Sequence, residues 1–585
     1  MTDQVPMTGK PAAKPVEPWR QRLIRSLLYG RNVDRAAKAR ARVGLAMIAF
    51  GGIYGIIALR LVMFAVGGDA HGERRATKDA IATARPDILD RNGEILATDV
   101  KAPSLFAEPR RIIDKDEAIE LLTATLPDLD TSEVRDRLWS KKGFVWLKRE
   151  ITAQQQREIH KLGIPGVGFI RENKRVYPSG AEVAHLIGLV NTDNEGIAGM
   201  EKWLDTNGLA DLHRAGFASD RLQKPIELSV DLRVEHALRD ELLKAKAKFS
   251  AKAASGLVSN VRTGEIVAMV SVPDFDPNNP KEAHDPDRIN RLTTGVYEMG
   301  STFKAFTLAM ALDSGKSDLN SMWDARSALR YGKFAIHDDH NLGRMISMKE
   351  VFTYSSNIGA ARIAMSQGVE AHKAFLRKLG QMDRLRTELP ESASPILPKR
   401  WSELNTITIA FGHGIAVAPL QAVMGIDALV NGGYLIPPTF LKRTEAEAMQ
   451  LAKRVIKTST SDKMRYLMRL NAEVGTAKKA DVKGYYIGGK TGTAEKVING
   501  RYAKKRVLNA FTAVFPMDDP KYQLLIMLDE PQALKETYGF ITSGWNAVPT
   551  GGAVIARIAP LLGLEPRFDL PPSDRLILAA SKVTQ

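Results

Sequence analysis

Three short motifs with the residues of a serine acyltransferase lie in order along this chain: Ser301-Thr-Phe-Lys304, Ser355-Ser356-Asn357 and Lys490-Thr491-Gly492. Each occurs once, and no histidine is needed to complete them. A serine hydroxyl is a poor nucleophile until a base takes its proton, and a lysine three residues further on a helix shares its face. Ser301 is therefore the candidate nucleophile and Lys304 its base. A lysine amine ordinarily holds its proton up to about pH 10.4, so Lys304 can act as a base only if burial or a second cation makes its neutral form accessible. Lys490 is the candidate for that cation. Ser355 is placed in a proton relay between the lysines and the departing amine. Asn357 is expected to orient Lys304 and to hydrogen-bond a substrate amide.

The segment Lys490 to Thr493 reads as an edge strand, because Tyr485-Tyr-Ile precedes Gly488-Gly489 and small residues let another backbone approach. Gly492 is expected to leave room for substrate. The Thr491 and Thr493 hydroxyls and the Lys490 charge would bind a carboxylate, and the backbone N–H groups of Ser301 and Thr493 would form an oxyanion hole. The implied substrate is a peptide-like acyl donor ending in a free carboxylate.

With these motifs the chain resembles a class B penicillin-binding protein, most closely the division (septal) branch. Ser356 stands where the commoner motif has Asp, a variant usual in that family. The resemblance extends through Asp90-Arg-Asn-Gly93, Tyr177-Pro-Ser-Gly180, Gly196-Ile-Ala-Gly199-Met-Glu201, Thr263-Gly-Glu265, Asn290-Arg291 and Phe411-Gly-His-Gly414, and so covers roughly 85 to 555. It implies a D,D-transpeptidase that crosslinks peptidoglycan stem peptides on lipid-II-derived strands and is acylated by β-lactam antibiotics. It also implies partners in a polytopic lipid-II glycosyltransferase and other divisome membrane proteins, and no cofactor or metal. An elongation-type transpeptidase, a membrane-anchored β-lactam sensor and a non-catalytic division scaffold are the alternatives. A β-lactamase-type deacylating carboxylate is missing in the register of Trp401-Ser-Glu403-Leu-Asn405, because the position four before Asn405 is Trp401.

Positioning these residues requires several segments. Residues 43–59 form an uninterrupted apolar run, then Arg60, then Leu61 to Val66. As a helix the whole run spans about 36 Å, enough for a hydrocarbon core of about 30 Å. Arg60 is expected near the outer boundary, and the basic tail, with Arg20, Arg22, Arg25, Arg31, Arg35, Lys38, Arg40 and Arg42, favours a cytoplasmic N-terminus. The domains expected are a tail (1–42), a transmembrane anchor (43–66), an α+β pedestal (67–225), an α/β (α+β) transpeptidase domain (226–570) and a C-terminal tail (571–585). Predicted elements are short strands at 104–107 and 144–147, helices at 132–138 and 153–162, a strand at 226–231 leading into a helix, a hairpin of 257–261 with 266–272, strands at 508–514 and 522–528, and a final helix at 553–562.

The 585 residues include no cysteine, which excludes disulfides and thiol chemistry. The net charge of +16 is concentrated toward the N-terminus and accompanies no nucleic-acid motif, so no nucleic-acid partner is expected. Ile336-His-Asp-Asp-His340 reads as a polar surface turn, since its two histidines lack the helical i, i+4 spacing of a metal pair. His413 reads either as cleft-lining or as a hydrogen-bonded structural residue. The ends, 1–19 and 565–585, are expected to be mobile.

Overall fold

The apolar run at 43–66 folds within one helix, α1 (Arg35–Val66). Its stretch Val43–Arg60 is long and apolar enough to cross a membrane, and it leaves Ile48, Phe50 and Ile56 exposed. A helix that is apolar all round and buried against nothing has the character of a membrane span. The computed structural model describes residues 19–21, 35–66, 85–208, 224–498, 501–570 and 573, so most of the basic tail, the start of the pedestal and nearly all of 571–585 lie outside the described residues. The chain divides into two units, Met1–Ala80, which contains α1, and Ile81–Gln585.

The second unit begins with β1 (Ile88–Leu89) and β2 (Ile95–Ala107), joined by the predicted turn at Asp90-Arg-Asn-Gly93. The buried Asp90 carboxylate makes that turn, accepting from Asn92 N at 2.7 Å and Glu94 N at 2.9 Å, while Gly93 takes φ +92°. Helices α2 (Lys115–Thr125) and α3 (Thr131–Leu138) start at the N-caps Asp114 and Asp130. Then come β3 (Val145–Lys148), α4 (Ala153–Lys161) behind a Thr152/Gln155 capping box, and β4 (Val167–Val176). β4 escaped the sequence reading because its Arg171–Arg175 stretch is almost wholly charged.

The predicted strand at 226–231 is shorter than expected and belongs elsewhere. Only β5 (Ile226–Glu227) is strand, and it pairs parallel to β1, so the first sheet runs β3-β2-β1-β5 with β4 also on β2. Leu228 then bridges to Leu441, and Asp231 becomes the N-cap of α5 (Leu232–Lys248). Beneath this sheet the Glu201 carboxylate is held between Arg85 at 2.8 Å and Arg175 at 2.7 Å, and Arg175 also reaches Asp99 at 3.2 Å.

The predicted hairpin is present as β6 (Ala253–Asn260) and β7 (Ile266–Val272), with Gly264 at φ +71° in its turn. The segment with the candidate nucleophile Ser301 follows as a 3-10 turn, Gly300–Phe303, running directly into α6 (Lys304–Ser314). Next in the chain are α7 (Asn357–Gln367), α8 (Pro419–Val430), α9 (Thr458–Val474), β8 (Gly488–Ile498), β9 (Arg501–Phe515), β10 (Tyr522–Asp529) and α10 (Ala547–Leu561). The central sheet runs β8-β9-β10-β6-β7 and is antiparallel throughout.

Period-two alternation gives this sheet two buried faces. Leu257, Met269, Leu525 and Met527 pack with Phe306 of α6, Leu429 of α8 and Leu467 of α9. Their neighbours Val258, Val270 and Ile526 pack with Leu238 and Leu242 of α5 and Ile555 and Ile558 of α10. The expected α/β sandwich is therefore the fold observed, with β8 at its edge as predicted. The ordered chain also continues past 565, where mobility was expected: Arg567 N donates to Gly484 O at 2.8 Å.

Candidate active site

Ser301 and Lys304 meet through backbone geometry tighter than an α-helix. In the 3-10 turn, side chains three residues apart eclipse, and Lys304 Nζ donates to Ser301 Oγ at 2.9 Å. The turn bears on the edge strand at Gly300, where φ is +53° and a Cβ would lie 2.6 Å from Thr493 O. On its other side, a Cβ on Gly412 would lie 2.0 Å from Gly300 O. Only glycine permits both approaches.

The middle motif is the entry to α7. Ser356 is the N-cap, its Oγ accepting from Gly359 N at 2.9 Å, so the hydroxyl that replaces the commoner Asp does a capping job either residue can do. Ser355 precedes it in the left-handed region at φ 58°, an unfavourable conformation for a non-glycine residue. That conformation turns both its carbonyl and its hydroxyl onto Lys304, with Nζ to Oγ at 3.1 Å. Asn357 Oδ1 accepts from the same amine at 2.7 Å, as expected of a residue that orients it.

Lys490 completes the cluster from β8. Its Nζ donates to Ser355 Oγ at 2.9 Å, so one hydroxyl lies between two lysine amines, both wholly buried. Burial lowers the Lys304 pKa to about 7. Lys490 is pushed well below the ordinary lysine range, first by burial and then by the Lys304 charge beside it. Thr491 Oγ1 lies 2.9 Å from Thr476 Oγ1, and the Thr493 hydroxyl accepts from Ser543 N at 3.1 Å. All eight residues singled out from the sequence thus fall on three contiguous pieces of backbone around Ser301.

Gly492 also has a packing role that the sequence reading did not include. A Cβ there would lie 2.5 Å from Met299 O and 2.6 Å from Thr302 Oγ1. Its missing side chain makes room for the turn that carries the nucleophile.

Supporting residues were missed. The segment read as a polar surface turn supplies Asp338, whose carboxylate accepts from Ser356 Oγ at 2.6 Å and Ile358 N at 2.9 Å, while His337 O accepts from Asn357 Nδ2 at 3.0 Å. A carboxylate at a helix N-terminus is electrostatically favourable, and here it fixes the pose of the whole Ser-Ser-Asn motif. Asn471 of α9, which donates to Gly489 O at 2.8 Å, and Thr476, just beyond the end of that helix, brace β8. Beside Ser543 an aromatic group presents Tyr538, 77% exposed, and Phe540 stacked on Trp545 with centroids 5.5 Å apart. No local signal in the sequence joins these residues to the motifs.

Two other candidates resolve. Glu403 accepts from Tyr331 OH at 3.0 Å, and Asn405 closes a capping box with Ser402, so this segment serves the start of the helix Glu403–Ile409. His413 is packed between Phe411 and Tyr502, and burial drives it to about 4, so it is neutral at physiological pH. Among the described residues no group of three or more His, Asp or Glu side chains is placed to hold a metal ion.

Fold and side chains together define a serine acyltransferase built on lysine chemistry. The penicillin binding protein transpeptidase domain family matches residues 254–544, and the penicillin-binding protein dimerisation domain family matches 80–206. A probable peptidoglycan D,D-transpeptidase FtsI of Caulobacter vibrioides is 39% identical over 509 residues, 85% of each chain. The peptidoglycan D,D-transpeptidase FtsI of Escherichia coli is 30% identical over 527 residues, 85% of this chain and 87% of that one. The crystal structure of penicillin-binding protein 3 from Mycobacterium tuberculosis, complexed with aztreonam, shares the fold with a TM-score of 0.64 at 22% identity, covering 84% of this chain and 98% of the other. The chain belongs to the class B penicillin-binding proteins, in their branch of division-type D,D-transpeptidases.

Proposed function

We propose that this protein crosslinks peptidoglycan stem peptides during septal wall synthesis through an acyl-enzyme on Ser301. Lys304, as the neutral amine, takes the Ser301 proton while Oγ attacks the carbonyl of the D-Ala-D-Ala bond. The oxyanion is held by the N–H groups of Ser301 and Thr493, whose backbones are brought together at Gly300. The C–N bond breaks, the proton passes through Ser355 to the departing D-Ala amine, and an ester to Ser301 remains. A side-chain amine of a neighbouring stem attacks that ester, gives up a proton along the same path and restores the serine. Thr491 and Thr493 receive the donor's terminal carboxylate beside the Lys490 amine, whose protonated form that negative charge favours, and Gly492 lets their strand lie against the turn bearing Ser301.

The observation that carries this reading is the Ser355 hydroxyl accepting from both buried lysines while Lys304 also holds Ser301 Oγ. β-Lactams mimic the donor and acylate the same oxygen. The likeness to two FtsI proteins supports the septal role. Helix α1 supports a single span in the cytoplasmic membrane, with the basic tail in the cytoplasm, Arg60 at the outer boundary and the catalytic region in the periplasm. The resemblance further supports partnership with a polytopic lipid-II glycosyltransferase and other divisome proteins.

Fluorescent penicillin is expected to label the wild type and not Ser301→Ala, and only the wild type should convert a labelled D-Ala-D-Ala donor into crosslinked dimers. Labelling that survives Ser301→Ala would refute the assignment. A fluorescent fusion should gather at midcell, and distribution along the side wall would instead indicate an elongation role.

A further inference from the structure

One carboxylate beside the nucleophile turn ties together three segments that frame it. Glu298, three residues before Ser301, accepts from Gly414 N through Oε1 at 2.8 Å, and Tyr502 OH reaches its two oxygens at 3.2 and 3.3 Å. Gly414 closes the loop whose Gly412 lies against Gly300 O. Tyr502 comes from the far end of the β8–β9 hairpin and also sets its ring edge-on to His413, at 5.5 Å and 70°.

That part of the hairpin departs in register from the strand that carries Lys490, and its base is pinned on the β10 side, where Lys496 Nζ meets Asp529 at 2.9 Å and Glu530 at 2.8 Å. Register breaks between Glu495 and Lys496: Glu495 pairs with Val507, but Lys496 pairs with Ala503, leaving 504–506 without partners on β8. Beyond this bulge a short ribbon, Lys496 to Ile498 against Arg501 to Ala503, forms its own ladder. A bulge bends a ribbon and increases its twist, so the outer part is aimed away from the line of the inner ladder. Its described attachments to the nucleophile side are the Tyr502 contacts with Glu298 and His413.

We infer that Glu298 is a positioning residue which latches the outer ribbon, through Tyr502, and the 411–414 loop to the turn bearing Ser301, holding the nucleophile in register with β8. The latch rests on the acylation chemistry proposed above and adds a regulatory joint to it. Glu298 touches none of the reacting atoms. It sets the turn from behind, so weakening it misplaces Ser301 Oγ relative to the edge strand without altering Lys304, Ser355 or Lys490. Partial burial raises the Glu298 carboxyl and, with the neighbouring Glu298 charge, keeps the Tyr502 hydroxyl protonated, so the phenol remains the donor.

The test uses the full chain in detergent, with a chromogenic cephalosporin as probe and stopped-flow separation of the noncovalent dissociation constant from the acylation rate constant. Wild type, Glu298→Gln, Tyr502→Phe and the double variant are compared, with thermal unfolding recorded for each. Either single variant is expected to slow the acylation step about tenfold with the dissociation constant changed by less than about threefold, and the double variant should be no slower than the worse single one. Hydrogen exchange in 496–506 should accelerate in both single variants, at unchanged melting temperature for Tyr502→Phe. Multiplicative losses in the double variant, or wild-type acylation rates in Tyr502→Phe, would overturn the latch. Wild-type protein that forms no acyl adduct would instead overturn the underlying acylation reading, so the two failures are distinguishable.

Discussion

At the scale of single residues, the site depends on which amine loses its proton. With Lys304 lowered by burial to about 7, its neutral form gains population as pH rises through that value. Acylation by labelled penicillin should climb about tenfold per pH unit below 7 and level off above about 8, a limb that rate measurements in a series of buffers would show or fail to show. Ser355 has a different liability: its hydroxyl is the one oxygen both lysines share, and its φ of 58° is conformationally costly. Ser355→Ala should slow acylation about a hundredfold while the protein remains folded, and an unaltered rate would exclude the relay. Asp338→Ala removes the acceptor for Ser356 Oγ and Ile358 N and should cost about 1–2 kcal/mol of stability together with slower acylation, read from thermal melts and rate measurements on one preparation.

At the scale of elements, the central contact is the nucleophile turn against the edge strand, and glycine decides how close they come. Gly492→Ala places a methyl 2.5 Å from Met299 O, so β8 and the turn must separate. The expected outcome is about 1–3 kcal/mol of destabilisation and loss of penicillin labelling, measured by melting and by gel fluorescence. The same contact shows what a linear reading can reach. Ser301, Lys304, Ser355, Asn357 and Lys490 were legible because their chemistry needs those residue types, and the edge strand was legible from the small residues of Gly488-Gly-Lys-Thr-Gly492. The packing role of Gly492 was not, since it is set by Met299, nearly two hundred positions earlier in the chain. Asp338 and Glu298 were hidden likewise: each is an ordinary acid in sequence, and only the fold places Ile358 N or Gly414 N in front of it. The hairpin of β6 and β7 was legible because its turn residues and short, nearly continuous apolar runs are local, whereas β4 was masked by its charges.

At the scale of the whole second unit, stability carries a pH dependence separate from the site. Asp427 on α8 is buried, accepts from Ser259 Oγ at 3.0 Å and has its carboxyl raised by burial to about 8. In acid the folded and unfolded chains both hold this proton, and the stability is present in full. As pH climbs from the ordinary carboxylate range toward about 8, only the unfolded chain releases it, so stability is lost across that window. Asp427→Asn keeps an acceptor for Ser259 and removes the slope, so its advantage over wild type should widen by roughly 1.4 kcal/mol per pH unit there, and parallel melting curves would contradict this. The parallel pairing of Ile88 with Ile226 has a practical corollary for anyone cutting the gene. A fragment started at Ile226, the boundary that sequence suggests, would expose the bare flank of a β-ladder and lose the Asp90 carboxylate that receives Leu232 N at 3.1 Å. Such a fragment should precipitate, whereas one started at Arg85 keeps both neighbours and should stay monodisperse.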